Sequence, residues 1–164
     1  MNNVYSFIGF SNTGKTTYLE KLIAILTQSG YDVALIKHTS HSEAFFLGKS
    51  GQMKDTDRHF LAGAKHVLLS GPSGFSMVSR QNEPDIEDMV LQVSQDDFVF
   101  TEGYKQGPFR KIIVNKDWNL VDCQNNKQDA YAVVGCASDN ALGIFSIDMP
   151  EELANHLIAL KESS

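Results

Sequence analysis

Apolar residues along the chain fall into short strand-like runs that alternate with stretches of helical spacing. Residues 4–8, "VYSFI", make an aromatic and β-branched run that stops at Gly9, the pattern of a buried strand. From Thr16 onward, Leu19, Leu22, Ile23 and Leu26 recur at helical spacing until Gly30 ends them. Residues 32–38, "DVALIKH", read as a second buried strand. Two strands joined by one helix form a βαβ unit, which must be parallel with a right-handed crossover. Residues 39–57 are polar and glycine-punctuated, predicting a long surface loop with at most one marginal helix. A short helix over 58–64 and a β-hairpin over 65–80 follow, the hairpin turning at "SGPSG". Its strands are rich in apolar residues for their length, so they either pair with another copy of the chain or pack on the core. Residues 85–93 predict a helix entered through Pro84 and Asp85, then strands come at 97–103, 111–116 and 130–138. An amphipathic helix over 149–161 closes the chain, with Pro150 near its start. The alternation predicts an α/β fold: a mainly parallel sheet, helices on both faces, and a hairpin extension.

Composition narrows this picture without redirecting it. A length of 164 residues predicts a single domain over 1–164. Hydrophobic residues at 42% and charged residues at 21% are globular values, and no window is apolar for long enough to span a membrane. The opening "MNNVYSFIGF" has no basic region and no long apolar run, so no secretory signal is expected and the cytoplasm is the default compartment. Cys123 and Cys136, lacking C-x-x-C spacing, read as reduced thiols rather than a disulfide or zinc framework. A net charge of -6 argues against gripping nucleic acid, so any phosphate must be bound locally.

Such a local device lies between the first strand and the first helix. Gly9-Phe10-Ser11-Asn12-Thr13-Gly14-Lys15-Thr16 matches G-x-x-x-x-G-K-[ST]. Its glycines let backbone amides from Gly9 through Thr17 wrap a polyphosphate at the positive end of the helix. Lys15 would reach the β- and γ-phosphates, and the Thr16 hydroxyl would enter the Mg²⁺ shell. A glycine-rich turn in which Ser11 or Asn12 caps the helix is the plainer alternative. Mg²⁺ also needs carboxylates or water, and in open α/β sheets these belong at the carboxyl ends of strands. Glu102, after "FVFT", is the best placed, and Asp55 in the long loop is second; ordinary solvated carboxylates are the competing reading of both.

Four further segments, "VALIKHTSH", "KDTDRHFLAGA", "FVFTEGYK" with "RKIIVNK", and "YAVVGCASD", occur in an order that resembles the MobB family of molybdopterin-guanine dinucleotide biosynthesis adaptor proteins. The resemblance extends from about Asn3 to Leu160. It implies a homodimeric accessory factor that binds GTP with Mg²⁺ and acts beside MobA, the guanylyltransferase that attaches GMP to molybdopterin. Direct contact with molybdopterin is left open. The family's nucleotide loop falls on Gly9 to Thr17, its Lys-His strand end on Lys37 and His38, its loop acid on Asp55, its Glu-Gly turn on Glu102 to Lys105, and its late Ser-Asp on Ser138 and Asp139. Between His41 and Asp55 the chain departs from it, carrying "SEAFFLGKSGQMK" in place of acidic residues and Lys-Pro-Gly.

"NKDW" at 115–118 imitates the N-K-x-D guanine reader, but Trp118 stands where the aspartate is required. Asp139 is the substitute, since a carboxylate can accept the N1–H and N2–H of guanine; an N-cap role for Ser138 or Asp139 is the alternative. His38 and His41, with His59 further on, raise a metal site against a polar loop lining the cleft. Three functions follow: a slow GTPase using Lys15 and Glu102, a small-molecule kinase, or a nucleotide-gated adaptor without relevant hydrolysis. The chain's arginines, Arg58, Arg80 and Arg110, form no cluster of the kind a kinase lid uses, which disfavours the second.

Overall fold

The computed structural model describes residues 3–39 and 55–163. The chain forms two compact units, one from Met1–His38 with Ile86–Ser164 and the other Thr39–Asp85.

The first unit is built on six strands: β1 (Val4–Ile8), β2 (Val33–Lys37), β5 (Phe98–Glu102), β6 (Arg110–Val114), β7 (Ala132–Gly135) and β8 (Ile144–Ser146). Their order across the sheet is β2-β5-β1-β6-β7-β8, and every pairing is parallel. Parallel strands are buried on both faces, which is why they read as continuous apolar runs. On one face Tyr5, Phe7, Phe98, Phe100, Ile112, Val114, Val134 and Phe145 pack under α1 (Lys15–Gln28) and α5 (Pro150–Glu162), whose Leu19, Leu22, Leu26, Leu153 and Leu157 complete that core. The intervening residues point the other way. Val4 and Val99 meet Val90 of α3 (Ile86–Gln92), and Val133 and Ile144 meet Cys123 of α4 (Leu120–Asn126). Helices therefore cover both faces of the sheet, as its period-two pattern requires.

Two elements go beyond the sequence expectation. The helix α4 is only seven residues long and is held by a capping box, in which the Asn119 side chain accepts from the Val121 and Asp122 amides while Asp122 accepts from the Asn119 amide. The edge strand β8 has three residues, all buried. The expected strand over 130–138 contracts to β7, because at Cys136 the backbone turns to donate its amide to the Trp118 carbonyl at 2.8 Å.

In the second unit the helix α2 (Asp55–Leu61) precedes the antiparallel pair β3 (His66–Gly71) and β4 (Gly74–Ser79). The expected hairpin is present, turning at Pro72-Ser73. Arg80 fastens it to the helix: its guanidinium donates to the Phe60 and Ala64 carbonyls and lies 4.2 Å from the Phe60 ring centroid. The expected helix over 58–64 starts and ends three residues earlier, and most of the expected 39–57 loop, His41 included, lies outside the described residues. Among the described residues no helix is long and apolar enough to cross a membrane.

Candidate functional site

The loop between β1 and α1 has the backbone that its glycines predict. Gly9 adopts φ +153° and Gly14 φ +91°, with Asn12 between them at φ +64°. A Cβ on Gly9 would stand 2.5 Å from the Val114 carbonyl oxygen, so only glycine fits there. Gly14 is itself the N-cap of α1, and no side chain caps that helix end, so neither Ser11 nor Asn12 plays the capping role. The first-turn amides of α1 are thus left to the loop and to whatever it binds. Thr13, buried, donates its hydroxyl to the Phe10 carbonyl at 2.9 Å. The Lys116 amide donates to the Thr13 carbonyl at 3.1 Å, tying the loop to the end of β6.

Lys15 bends back over the loop, donating to the Gly9 carbonyl at 3.1 Å and to the Phe10 carbonyl. Its ammonium has a pKa below the usual lysine range, chiefly because of burial; Glu102 opposes that shift, and Lys105 and Lys37 reinforce it. Lys15 thus sits among two other ammonium groups, Lys37 and Lys105, with Glu102 as the opposing charge, an arrangement suited to receiving more negative charge.

Glu102 sits at the carboxyl end of β5, its register partners being Phe7 of β1 and Lys37 of β2. That position brings its carboxylate to the loop. Oε1 accepts from the Thr16 hydroxyl at 3.0 Å and Oε2 pairs with Lys37 Nζ at 3.1 Å. The residue is only 7% exposed. A hydroxyl and a buried carboxylate this close are hard oxygen donors of the type Mg²⁺ takes, with phosphate and water left to complete its shell. Among the described residues no three His, Cys, Asp or Glu side chains converge as a metal site. His38 packs its ring 5.3 Å from that of Tyr104, and Gly103, at φ +104°, makes room for it.

Beside the loop opens a cavity of about 660 Å³, lined by residues 12–18 with Lys21 on α1, and by Lys116, Ile147 and Asp148. Of the expected site residues, Asn12, Thr13, Gly14, Lys15, Thr16 and Thr17 line it, and Glu102 meets Thr16. Asp139 is not among its lining residues; its backbone forms a bridge with Ile144, and as the N-cap of the turn Asn140–Leu142 it makes no side-chain capping bond. Ser138 donates to Glu152 at 3.2 Å instead of capping. Asp55 opens α2 in the other unit, 3.6 Å from Arg58. Lys116, Ile147 and Asp148 escaped the sequence reading as members of this cavity. "NKDW" drew notice to Lys116 for its neighbours in sequence, whereas its place here comes from the end of β6.

A parallel sheet in this order, with a glycine-bent loop leading from its central strand into a helix, defines a P-loop NTPase-like α/β protein. Residues 4–139 match the model of the family described as MobB, molybdopterin guanine dinucleotide synthesis protein B. The chain belongs to that family. It is 34% identical over 122 residues to the molybdopterin-guanine dinucleotide biosynthesis adapter protein of Haemophilus influenzae, covering 71% of this chain and 66% of that one. It is 28% identical over 113 residues to the probable adapter protein of Bacillus subtilis, covering 68% and 64%. The chain thus spans just under two thirds of the length of these curated relatives. A crystal structure of molybdopterin-guanine biosynthesis protein B superposes with a TM-score of 0.73 at 24% identity, covering 97% of this chain and 99% of that one, a likeness of fold.

Proposed function

We propose that this chain is a GTP-binding adaptor in the assembly of the molybdopterin guanine dinucleotide, working beside a MobA-type guanylyltransferase. The observation that carries the nucleotide reading is the meeting of Thr16 and the buried Glu102 at 3.0 Å, at the mouth of a loop whose amides have no side-chain cap. In this reading the amides of residues 9–17 would receive the phosphates, Lys15 would turn from the loop carbonyls to the β- and γ-oxygens, and Thr16 and Glu102 would hold Mg²⁺ directly or through water. Bound Mg²⁺ would neutralise phosphate charge. Glu102 would also orient a water toward the terminal phosphate, its carboxylate held in place by the 3.1 Å ion pair with Lys37.

Hydrolysis in this reading is slow. P-loop catalysis depends on positive charge delivered to the transferring phosphoryl group, commonly by an arginine. The only arginine in the unit that carries the loop, Arg110, starts β6 at the amino end of the sheet, stacked 5.3 Å from the Tyr131 ring centroid. A partner must supply what is missing. The family's occurrence as an adaptor fits a protein whose nucleotide is completed, or merely sensed, by the enzyme it assists. The same adaptor is proposed to act as a homodimer through the apolar outer face of its hairpin, where Leu68, Phe75 and Met77 are exposed.

Equilibrium titration with GTP, with and without Mg²⁺, tests the reading. Lys15→Ala is expected to weaken GTP binding by about a hundredfold, the scale of a lost charge-assisted phosphate contact. Phosphate release, measured with and without a MobA-type enzyme, then separates a stimulated GTPase from an adaptor without hydrolysis. Equal GTP affinity in wild type and Lys15→Ala would remove the loop from nucleotide binding altogether.

A further inference from the structure

The cavity beside the phosphate loop continues past the residues a triphosphate uses. Besides the loop residues 12–16 its lining includes Lys116, Ile147 and Asp148, supplied by the chain just after β6 and β8. A volume of about 660 Å³ is that of a pocket for a whole small molecule, larger than a phosphate cradle alone. Gly14 is where the two groups meet. A Cβ there would come within 3.0 Å of Ile147 Cδ1 and 3.7 Å of Lys116 Cβ, so these two side chains lie directly behind the loop. A molecule whose phosphates the loop holds has Ile147 and the aliphatic stem of Lys116 within the same cavity.

What waits there is an apolar surface with one acid beside it. The Asp148 amide donates to the Ser146 hydroxyl at 3.2 Å, which sets its backbone at the exit of β8. Its carboxylate accepts no bond from any described residue. An ionised carboxylate is an acceptor with two oxygens, and guanine presents two adjacent donors, N1–H and the 2-amino group, whereas adenine presents an acceptor at N1. Resting on the nucleotide reading above, we propose that Ile147, Lys116 and Asp148 form the base subsite. Asp148 accepts from N1–H and N2–H of guanine while Ile147 and the Lys116 stem pack on the ring. The role expected of Asp139 thereby passes to the next strand exit.

The test titrates wild type, Asp148→Asn and Asp139→Asn with GTP, ATP and xanthosine triphosphate, keeping Lys15→Ala as the control for phosphate binding. Xanthine carries a carbonyl where guanine has its amino group, so an asparagine amide can donate to it. Wild type is expected to prefer GTP over ATP. In Asp148→Asn, GTP binding should weaken about tenfold or more, ATP binding should change little, and xanthosine triphosphate binding should strengthen. An unaltered GTP-to-ATP ratio in Asp148→Asn overturns the subsite, as does the same shift appearing in Asp139→Asn instead, while GTP binding that is lost in Lys15→Ala still stands. Wild type that binds none of the three overturns the nucleotide reading and this inference with it. Asp148 is exposed and the change isosteric, so thermal melts of the variant should match wild type and leave the titrations interpretable.

Discussion

The sheet unit and the hairpin unit use the same kind of residue for opposite ends. Phe100 in β5 is 0% exposed, and Phe75 in β4 is 79% exposed. Both belong to runs of aromatic and branched residues that form strands. The difference lies in the layers. β5 has a strand on each side and helices above and below, so Phe100 is covered by α1 and α5 while its neighbour Val99 is covered by α3. The β3–β4 ribbon has two strands only, and directly opposed residues share a face. On one face Leu68 pairs with Met77, exposed by 63% and 59%, and Phe75 is one pair further along. A strand run in sequence therefore predicts a strand but not its burial, which depends on what the topology stacks on it.

The largest effect that would sharpen this contrast is in the core. Phe100→Ala removes a ring packed edge-on against Phe7 at 5.1 Å between centroids, and is expected to lower unfolding free energy by about 3–5 kcal/mol in urea titrations. Phe75→Ala should stay within about 0.5 kcal/mol of wild type in dilute solution, as for other surface changes. Similar losses in the two variants would break the comparison. The next effect concerns association. If the outer face of the ribbon joins two copies, Leu68→Ser with Met77→Ser should raise the dimer dissociation constant by about tenfold or more in sedimentation experiments, since burial of each such side chain contributes about 1.5–3 kcal/mol. GTP affinity of the separated protein should not change. A dimer equally stable in the double variant would assign the interface elsewhere.

What could be read from sequence divides along a similar line. The glycine-bent loop between β1 and α1 is legible because its geometry is local: two glycines at positive φ and a lysine at the helix start lie within eight residues of one another. Glu102 is legible as a strand exit, but its bond to Thr16, 86 positions away, exists only because β1 and β5 are neighbours. Asp148 was illegible for the same reason, compounded by β8 being three residues long, too short to show a period. The helix α4 carries a readable signal, Asn119 followed three residues later by Asp122, directly beside the more conspicuous "NKDW". Trp118 in that tetrapeptide packs beside Cys123, and its carbonyl accepts from the Cys136 amide, a structural task rather than base recognition.

The smallest effect separates the covered face of the sheet by its response to acid. His156 on α5 lies against the Phe145 ring at 5.2 Å, with its Nε2 3.0 Å from the Tyr131 hydroxyl. Burial holds its pKa below the ordinary value of 6.5. The hydrogen bond does not produce that shift, because a neutral Nε2 can accept from the hydroxyl and an imidazolium can donate to it. With the folded value depressed, the unfolded chain binds a proton that the folded chain resists once the pH drops below 6.5. The stability that the neutral ring contributes is therefore complete above 6.5 and lost as the pH falls through the folded-state value. Urea midpoints taken from about pH 7.5 down to about pH 5 should decline in wild type and decline less in His156→Gln, where no imidazole is left to charge. Parallel curves would mean that α5 lets the imidazolium reach water at no penalty, and that this edge of the sheet is covered more loosely than its packing suggests.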